Sequence, residues 1–261
     1  MRIHPFYKTS GLLALSIAAM LALTACDDGS RGNTATRTAL VDSQSLGQDV
    51  SAPPAGIVFP PDGVVSSDKN NYVVFDASGS MNACAVRTNN CQRKIDGGKQ
   101  ALSAVINLLP AKNVNLGLFV FNDEVKERIP LGPGNSQKFL KTIKGIEADG
   151  YTPLGKAIKA GADALIAQYK KQLGYGTYRL IVVTDGMPDS ESEVRDALKF
   201  IEGSGVPIEI YTIGFGMDDP EHPLRKASVS FTAAYSSDEL KKALESAVAE
   251  QSTFVPSFQG Q

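Results

Sequence analysis

The 261-residue sequence is poor in the side chains that build most catalytic centres. It has two histidines, His4 and His222. A Ser-His-Asp or Cys-His arrangement would have to rest on His222, which is expected in a solvated loop, MDDPEHPLRK. No phosphate loop of the form G-x-x-x-x-G-K-[ST] occurs, and no internal repeat is visible. An excess of positive charge is lacking too, with 26 Lys and Arg against 28 Asp and Glu. The formal net charge is -2 and the lysines and arginines are scattered, which excludes a basic nucleic-acid surface. Cysteine occurs only three times, as Cys26, Cys84 and Cys91. What remains is an ordinary globular composition, 43 % hydrophobic and 21 % charged, with length for one large domain or two small ones.

The N-terminus departs from that composition. Arg2, His4 and Lys8 precede an apolar run from Gly11 to Ala25. Fifteen residues at about 1.5 Å rise span about 22 Å, short of a bilayer core of about 30 Å. A basic start, a short apolar core and small residues at its end describe a secretory signal over residues 1–25. A buried core helix is the alternative, but it would alternate with polar residues. The end of the run, Leu23-Thr24-Ala25-Cys26, resembles the bacterial lipobox. Cys26 would then be lipidated and become the new N-terminus, and the chain would be anchored to a membrane. Cleavage by an ordinary signal peptidase, with Cys26 left by chance, is the other reading. In a Gram-negative source, Asp27 and Asp28 after the cysteine would resemble an inner-membrane retention signal, with the protein facing the periplasm.

Residues 26–68 are rich in Ser, Gly, Thr, Asp and Pro and read as a flexible tether. Its later part, Ile57 to Val65, has enough apolar residues to add an edge strand instead. After Asn70, apolar runs alternate with amphipathic helical spacing. Strands are expected at Tyr72–Phe75, Val114–Phe121, Val125–Ile129, Tyr178–Thr184, Pro207–Phe215 and Ser230–Tyr235. Helices are expected at Arg93–Leu109, Ser136–Ile146, Thr152–Tyr169, Ser190–Glu202 and Asp238–Ala249. This predicts a doubly wound α/β domain over 69–251. Its central sheet is mostly parallel and flanked by helices, with one short antiparallel edge strand and a tail at 252–261. Ligands in such sheets bind beyond the carboxyl ends of the strands.

Three loops at that edge carry oxygen donors. The first, in YVVFDASGSMNAC, offers Asp76, Ser78 and Ser80; the second, DGYTPLG, offers Thr152; the third, VVTDGMPD, offers Asp185. Oxygen-only sets suit hard divalent cations, Mg²⁺ foremost, with Mn²⁺ or Ca²⁺ possible. Each residue also has an ordinary use: Asx-turns, an N-cap before Pro153, a turn dipeptide.

Asp76-Ala77-Ser78-Gly79-Ser80 resembles the DxSxS motif of von Willebrand factor type A (vWA) domains. The Thr152 and Asp185 segments are similar, in order, to the other two loops of that family's metal-ion-dependent adhesion site. The resemblance extends over about Asn70 to Ala249. It implies that Ser78 and Ser80 bind the ion directly, and that Asp76, Thr152 and Asp185 bind directly or through water. A partner's acidic residue would complete the sphere. Tight turns are expected to explain Gly79 and Gly186.

The connection MNACAVRTNNCQ between Ser80 and the first helix is longer than the family's usual one. With Cys26 lipidated, Cys84 and Cys91 remain as a pair. An oxidising compartment favours a disulfide, and a metal clip is the alternative. The loop would carry a basic feature, Arg87 with Arg93 and Lys94, that helps select the partner. The function expected is a membrane-tethered, metal-dependent protein-binding module and not an enzyme. The alternatives are a metal-assisted hydrolase or a subunit whose metal only stabilises it.

Overall fold

The computed structural model describes residues 56–85, 91–108, 113–133 and 136–249. The expected signal, Cys26, most of the tether, Arg87 and the tail at 252–261 lie outside these residues. Six strands are present: β1 (Lys69–Asp76), β2 (Val114–Phe121), β3 (Val125–Pro133), β4 (Thr177–Thr184), β5 (Ile208–Phe215) and β6 (Ser230–Ala234). The helices are α1 (Lys94–Leu108), α2 (Ser136–Lys144), α3 (Leu154–Lys171), α4 (Glu191–Gly203) and α5 (Ser237–Ala249).

The strands form one sheet in the order β3-β2-β1-β4-β5-β6, parallel throughout except for antiparallel β3 at one edge. This is the α/β architecture read from the sequence. The period of two along a strand divides the core. Val73, Phe75, Ile181 and Val183 face α1, α2 and α5, while Tyr72, Val74, Leu180 and Val182 face α3 and α4. Both faces are therefore covered, and β1, β2 and β4 are apolar along most of their length.

Two strand limits differ from expectation by more than one residue. β1 begins at Lys69 because Asn70 and Asn71, polar as they are, lie fully buried in the sheet. The Asn70 amide donates to the carbonyls of Asp68 and Thr177 and accepts from Asn115. β3 runs past Pro130 to Pro133, which an edge strand with irregular register tolerates. The segment after Gly56 adds no strand. Ile57 and Phe59 pack against the α3/α4 face, and the Val64 N–H donates to the Lys171 carbonyl at 2.9 Å. Arg179, fully buried in β4, bonds Glu209 and the carbonyls of Ala247 and Val248, so it holds the last turn of α5. Among the described residues no helix is long and apolar enough to cross a membrane.

The chain runs outward from β1 to β2 and β3 on one side, and β4 starts the other side. The β1/β4 boundary is thus the point where strand order reverses, and the crevice beyond its carboxyl ends is where such sheets bind ligands.

Candidate metal centre

Asp76 ends β1, and Asp185 directly follows β4. Parallel pairing of the two strands sets these carboxylates side by side at the reversal point. Asp76 is fully buried, with both oxygens engaged. Oδ1 accepts the Ser78 N–H at 2.8 Å, and Oδ2 accepts the Thr184 hydroxyl at 2.7 Å. The Ser78 and Ser80 hydroxyls lie 3.0 Å apart, and the Ser80 hydroxyl donates to Asp185 Oδ1 at 2.6 Å. Four of the five expected donors therefore form one connected cluster.

Thr152 reaches the cluster through its loop. The Gly79 N–H donates to the Gly150 carbonyl at 3.0 Å, and the Asp149 N–H donates to the Ala77 carbonyl at 2.9 Å. Beyond them, the Thr152 N–H donates to Asp189 Oδ2 at 2.8 Å, and its carbonyl accepts the Asp189 N–H at 3.1 Å. The three loops are laced into a closed ring. Among the described residues, no hydrogen bond joins the Thr152 hydroxyl to the other four donors. Within this ring the glycine that its position requires is Gly150, not Gly79 or Gly186. Gly150 has φ +75°, and a Cβ there would lie 2.2 Å from Asp123 Oδ1. Gly79 and Gly186 have ordinary φ, and a Cβ at either would meet no atom closer than 3.4 Å.

Burial, and then the nearby Asp185 charge, push the Asp76 carboxyl up to about 6, against the opposing bonds from Ser78 and Thr184. Asp185 has a cationic partner: Lys94 Nζ lies 2.9 Å from Oδ2. Two carboxylates and one ammonium leave an excess negative charge in a buried place. The donors also suit a small hard cation. Adjacent corners of an oxygen octahedron with bonds of about 2.1 Å are about 3.0 Å apart, the separation of the Ser78 and Ser80 hydroxyls here. Among the described residues no group of three or more His, Cys, Asp and Glu side chains could hold a metal ion.

Cys84 and Cys91 are joined by a disulfide with Cα atoms 5.4 Å apart. The expected basic feature divides. Arg93 is exposed and pairs with Asp96, whereas Lys94 is buried and turned onto Asp185. Arg93 stands just outside α1, whereas Lys94 opens it, with its N–H bonded to the Ala83 carbonyl at 2.9 Å. Residues 86–90, with Arg87, are outside the described set.

His222 is not solvated. It is 2 % exposed, packs against the Phe231 ring of β6, and accepts the Leu224 N–H at Nδ1. Thr184 and Asp189 are the site residues that sequence reasoning missed. Thr184 adjoins Asp185 in VVTDG, and that adjacency was the available signal. Lys94 was expected in the basic feature of the loop, but not its pairing with Asp185.

A family model for the von Willebrand factor type A domain matches residues 72–250. The chain belongs to this family. Human inter-alpha-trypsin inhibitor heavy chain H4 is 27 % identical over 168 residues, which is 61 % of this chain but only 17 % of that protein. Among solved structures, proximal thread matrix protein 1 of the mussel byssus, with a zinc-occupied MIDAS motif, superposes with a TM-score of 0.56 at 17 % identity. The match covers 71 % of this vWA chain and 48 % of that one. Manganese-loaded Plasmodium vivax TRAP protein superposes with a TM-score of 0.53 at 18 % identity, covering 72 % of this chain and 76 % of its own. At these identities the structures speak for the fold.

Proposed function

We propose that this vWA domain is a metal-dependent protein-binding module held at a bacterial membrane by lipid on Cys26. The observation that carries the reading is the Asp76–Ser78–Ser80–Asp185 oxygen cluster at the β1/β4 reversal, with its uncompensated negative charge. Asp76, Ser78, Ser80, Thr152 and Asp185 would hold a divalent cation, Mg²⁺ foremost. When bound, the ion supplies a Lewis-acidic point that attracts a carboxylate from a protein partner. The manganese and zinc in the two related structures support this reading.

The rim suits a protein ligand. Tyr151, beside Thr152, Met187, two residues after Asp185, and Tyr235, just past β6, are large apolar residues exposed at the same edge of the sheet. They would pack around an acidic side chain seated at the ion, as apolar anchors do in protein interfaces. The disulfide-closed loop beside Ser80 would add partner selectivity. A hydrolytic reading needs a base facing the ion, and His222, which that reading would use, is buried against Phe231.

The test is a cross-linking pull-down from intact cells, with Mg²⁺ or with EDTA, using the wild-type and Asp76→Ala chains. Capture of the same partner by all four samples would sink the metal-dependent reading. Palmitate labelling of wild type and Cys26→Ser tests the anchor separately. Label retained by Cys26→Ser would sink it.

A further inference from the structure

We infer that Lys94 is a built-in counter-cation that weakens the centre's hold on its divalent ion and strengthens the filled centre's hold on an anion. This rests on the metal-binding reading above. Lys94 opens α1 with a side chain 11 % exposed, and Nζ lies 2.9 Å from Oδ2 of an Asp185 side chain that is 0 % exposed. The other Asp185 oxygen, Oδ1, takes the Ser80 hydroxyl. The ammonium therefore sits on the oxygen that the serine leaves free, and does not replace any donor of the cluster.

The position is built, not adventitious. The Lys94 N–H donates to the Ala83 carbonyl at 2.9 Å, next to the Cys84–Arg93 bridge and the Cys84–Cys91 disulfide. Opposite, Gly216 leaves room for the lysine stem. A Cβ there would lie 2.8 Å from Lys94 Cε and 3.4 Å from Nζ. An exposed ion pair between long side chains would be worth little. This one is buried, and one partner is a candidate metal ligand.

Its effect follows from charge. Counting Asp76, Asp185 and Lys94 alone, the empty centre carries one net negative charge, and a divalent ion leaves it one positive. Without Lys94 the empty centre carries two negative charges, and the filled one is neutral. Lys94 repels the incoming cation, so the ion binds less tightly than two carboxylates alone would allow. The same charge leaves the filled centre positive, which a single partner carboxylate neutralises. Lys94 thus exchanges cation affinity for carboxylate affinity.

The test compares the full-length wild-type chain with Lys94→Met, which removes the charge at similar volume, and Lys94→Gln, which keeps a hydrogen-bond donor. Lys94→Arg keeps the charge. Thermal melting selects the folded variants. Mn²⁺ binding is read from the free-ion electron paramagnetic resonance signal, and acetate binding from water-proton relaxation of the Mn²⁺-loaded protein. The expected result is at least tenfold tighter Mn²⁺ and at least tenfold weaker acetate in the neutral variants, with Lys94→Arg near wild type. Binding of Mn²⁺ by the neutral variants alone would also support the inference. Mn²⁺ affinity within twofold of wild type, or lower, overturns it, as does unchanged acetate affinity. Absence of Mn²⁺ binding in every chain would overturn the metal-binding reading itself, and this inference with it.

Discussion

The Thr184 hydroxyl donates to Asp76 Oδ2 at 2.7 Å across the join between β4 and β1. It ties the two halves of the centre together, and both residues are fully buried. Thr184→Val keeps the shape and removes the donor, leaving a buried carboxylate one bond short. A loss of about 1–3 kcal/mol is expected, with weaker Mn²⁺ binding, while Thr184→Ser stays near wild type. Urea denaturation and Mn²⁺ titration of the three chains check this. A valine variant as stable as the serine one would contradict it.

Binding of a divalent ion to the native state should raise its stability. At about a hundredfold excess over the dissociation constant the gain is about 2.7 kcal/mol, or roughly 5–10 °C for a domain of this size. Asp76→Ala and Ser78→Ala should lose the shift. Differential scanning calorimetry with Mg²⁺ and with EDTA decides, and equal shifts in all three chains would count against the centre.

Acid should weaken the domain through His222. Burial lowers its pKa below the ordinary 6.5, and Arg225 acts in the same direction. The Gly186 backbone, Asp219 and Glu191 oppose the shift. The unfolded chain then binds the proton first. Stability from this residue is full above about pH 6.5 and is lost as pH falls through the lowered value. Asp76 works in the opposite sense and is common to both chains, so the difference between wild type and His222→Gln isolates the imidazole. Urea midpoints between pH 7.5 and 5.5 should fall more steeply in the wild type. Parallel curves would refute the assignment.

The Cys84–Cys91 bridge closes a short loop, with a sequence separation of 7. Replacing both cysteines with serine should cost about 2–3 kcal/mol in the chain-entropy model and leave the sheet intact. Chemical denaturation and far-ultraviolet circular dichroism measure the two effects. A double-serine chain of unchanged stability would show that the loop is held by other contacts.

Much of this was visible in the sequence because apolar runs stop at functional residues. YVVF ends at Asp76 and LIVVT ends at Asp185, so strand ends and oxygen donors were read together. Other features depend on pairing over long distances. Asn70 and Asn71 look like loop residues until Asn115 and Thr177 satisfy Asn70. Lys94 reads as part of a basic loop feature, and only the folded chain sets the start of α1 beside the end of β4, where Lys94 meets Asp185. His222 sits among Asp, Glu, Pro and Arg, a solvated composition, yet Phe231 on β6 covers its ring. Local pattern carries no information about which distant strand will lie over a loop.

Asp76 and Thr184 are 108 positions apart in the chain, and their strands are direct neighbours. A nascent chain that has emerged only through β3 already carries Asp76, Ser78 and Ser80 but lacks the opposing wall. Such an intermediate lacks the Thr184 hydroxyl that bonds Asp76 Oδ2 and the Asp185 carboxylate that accepts from Ser80. The oxygen cluster would therefore close only after β4 has been synthesised and seated beside β1, so its assembly is a late event in the making of the chain.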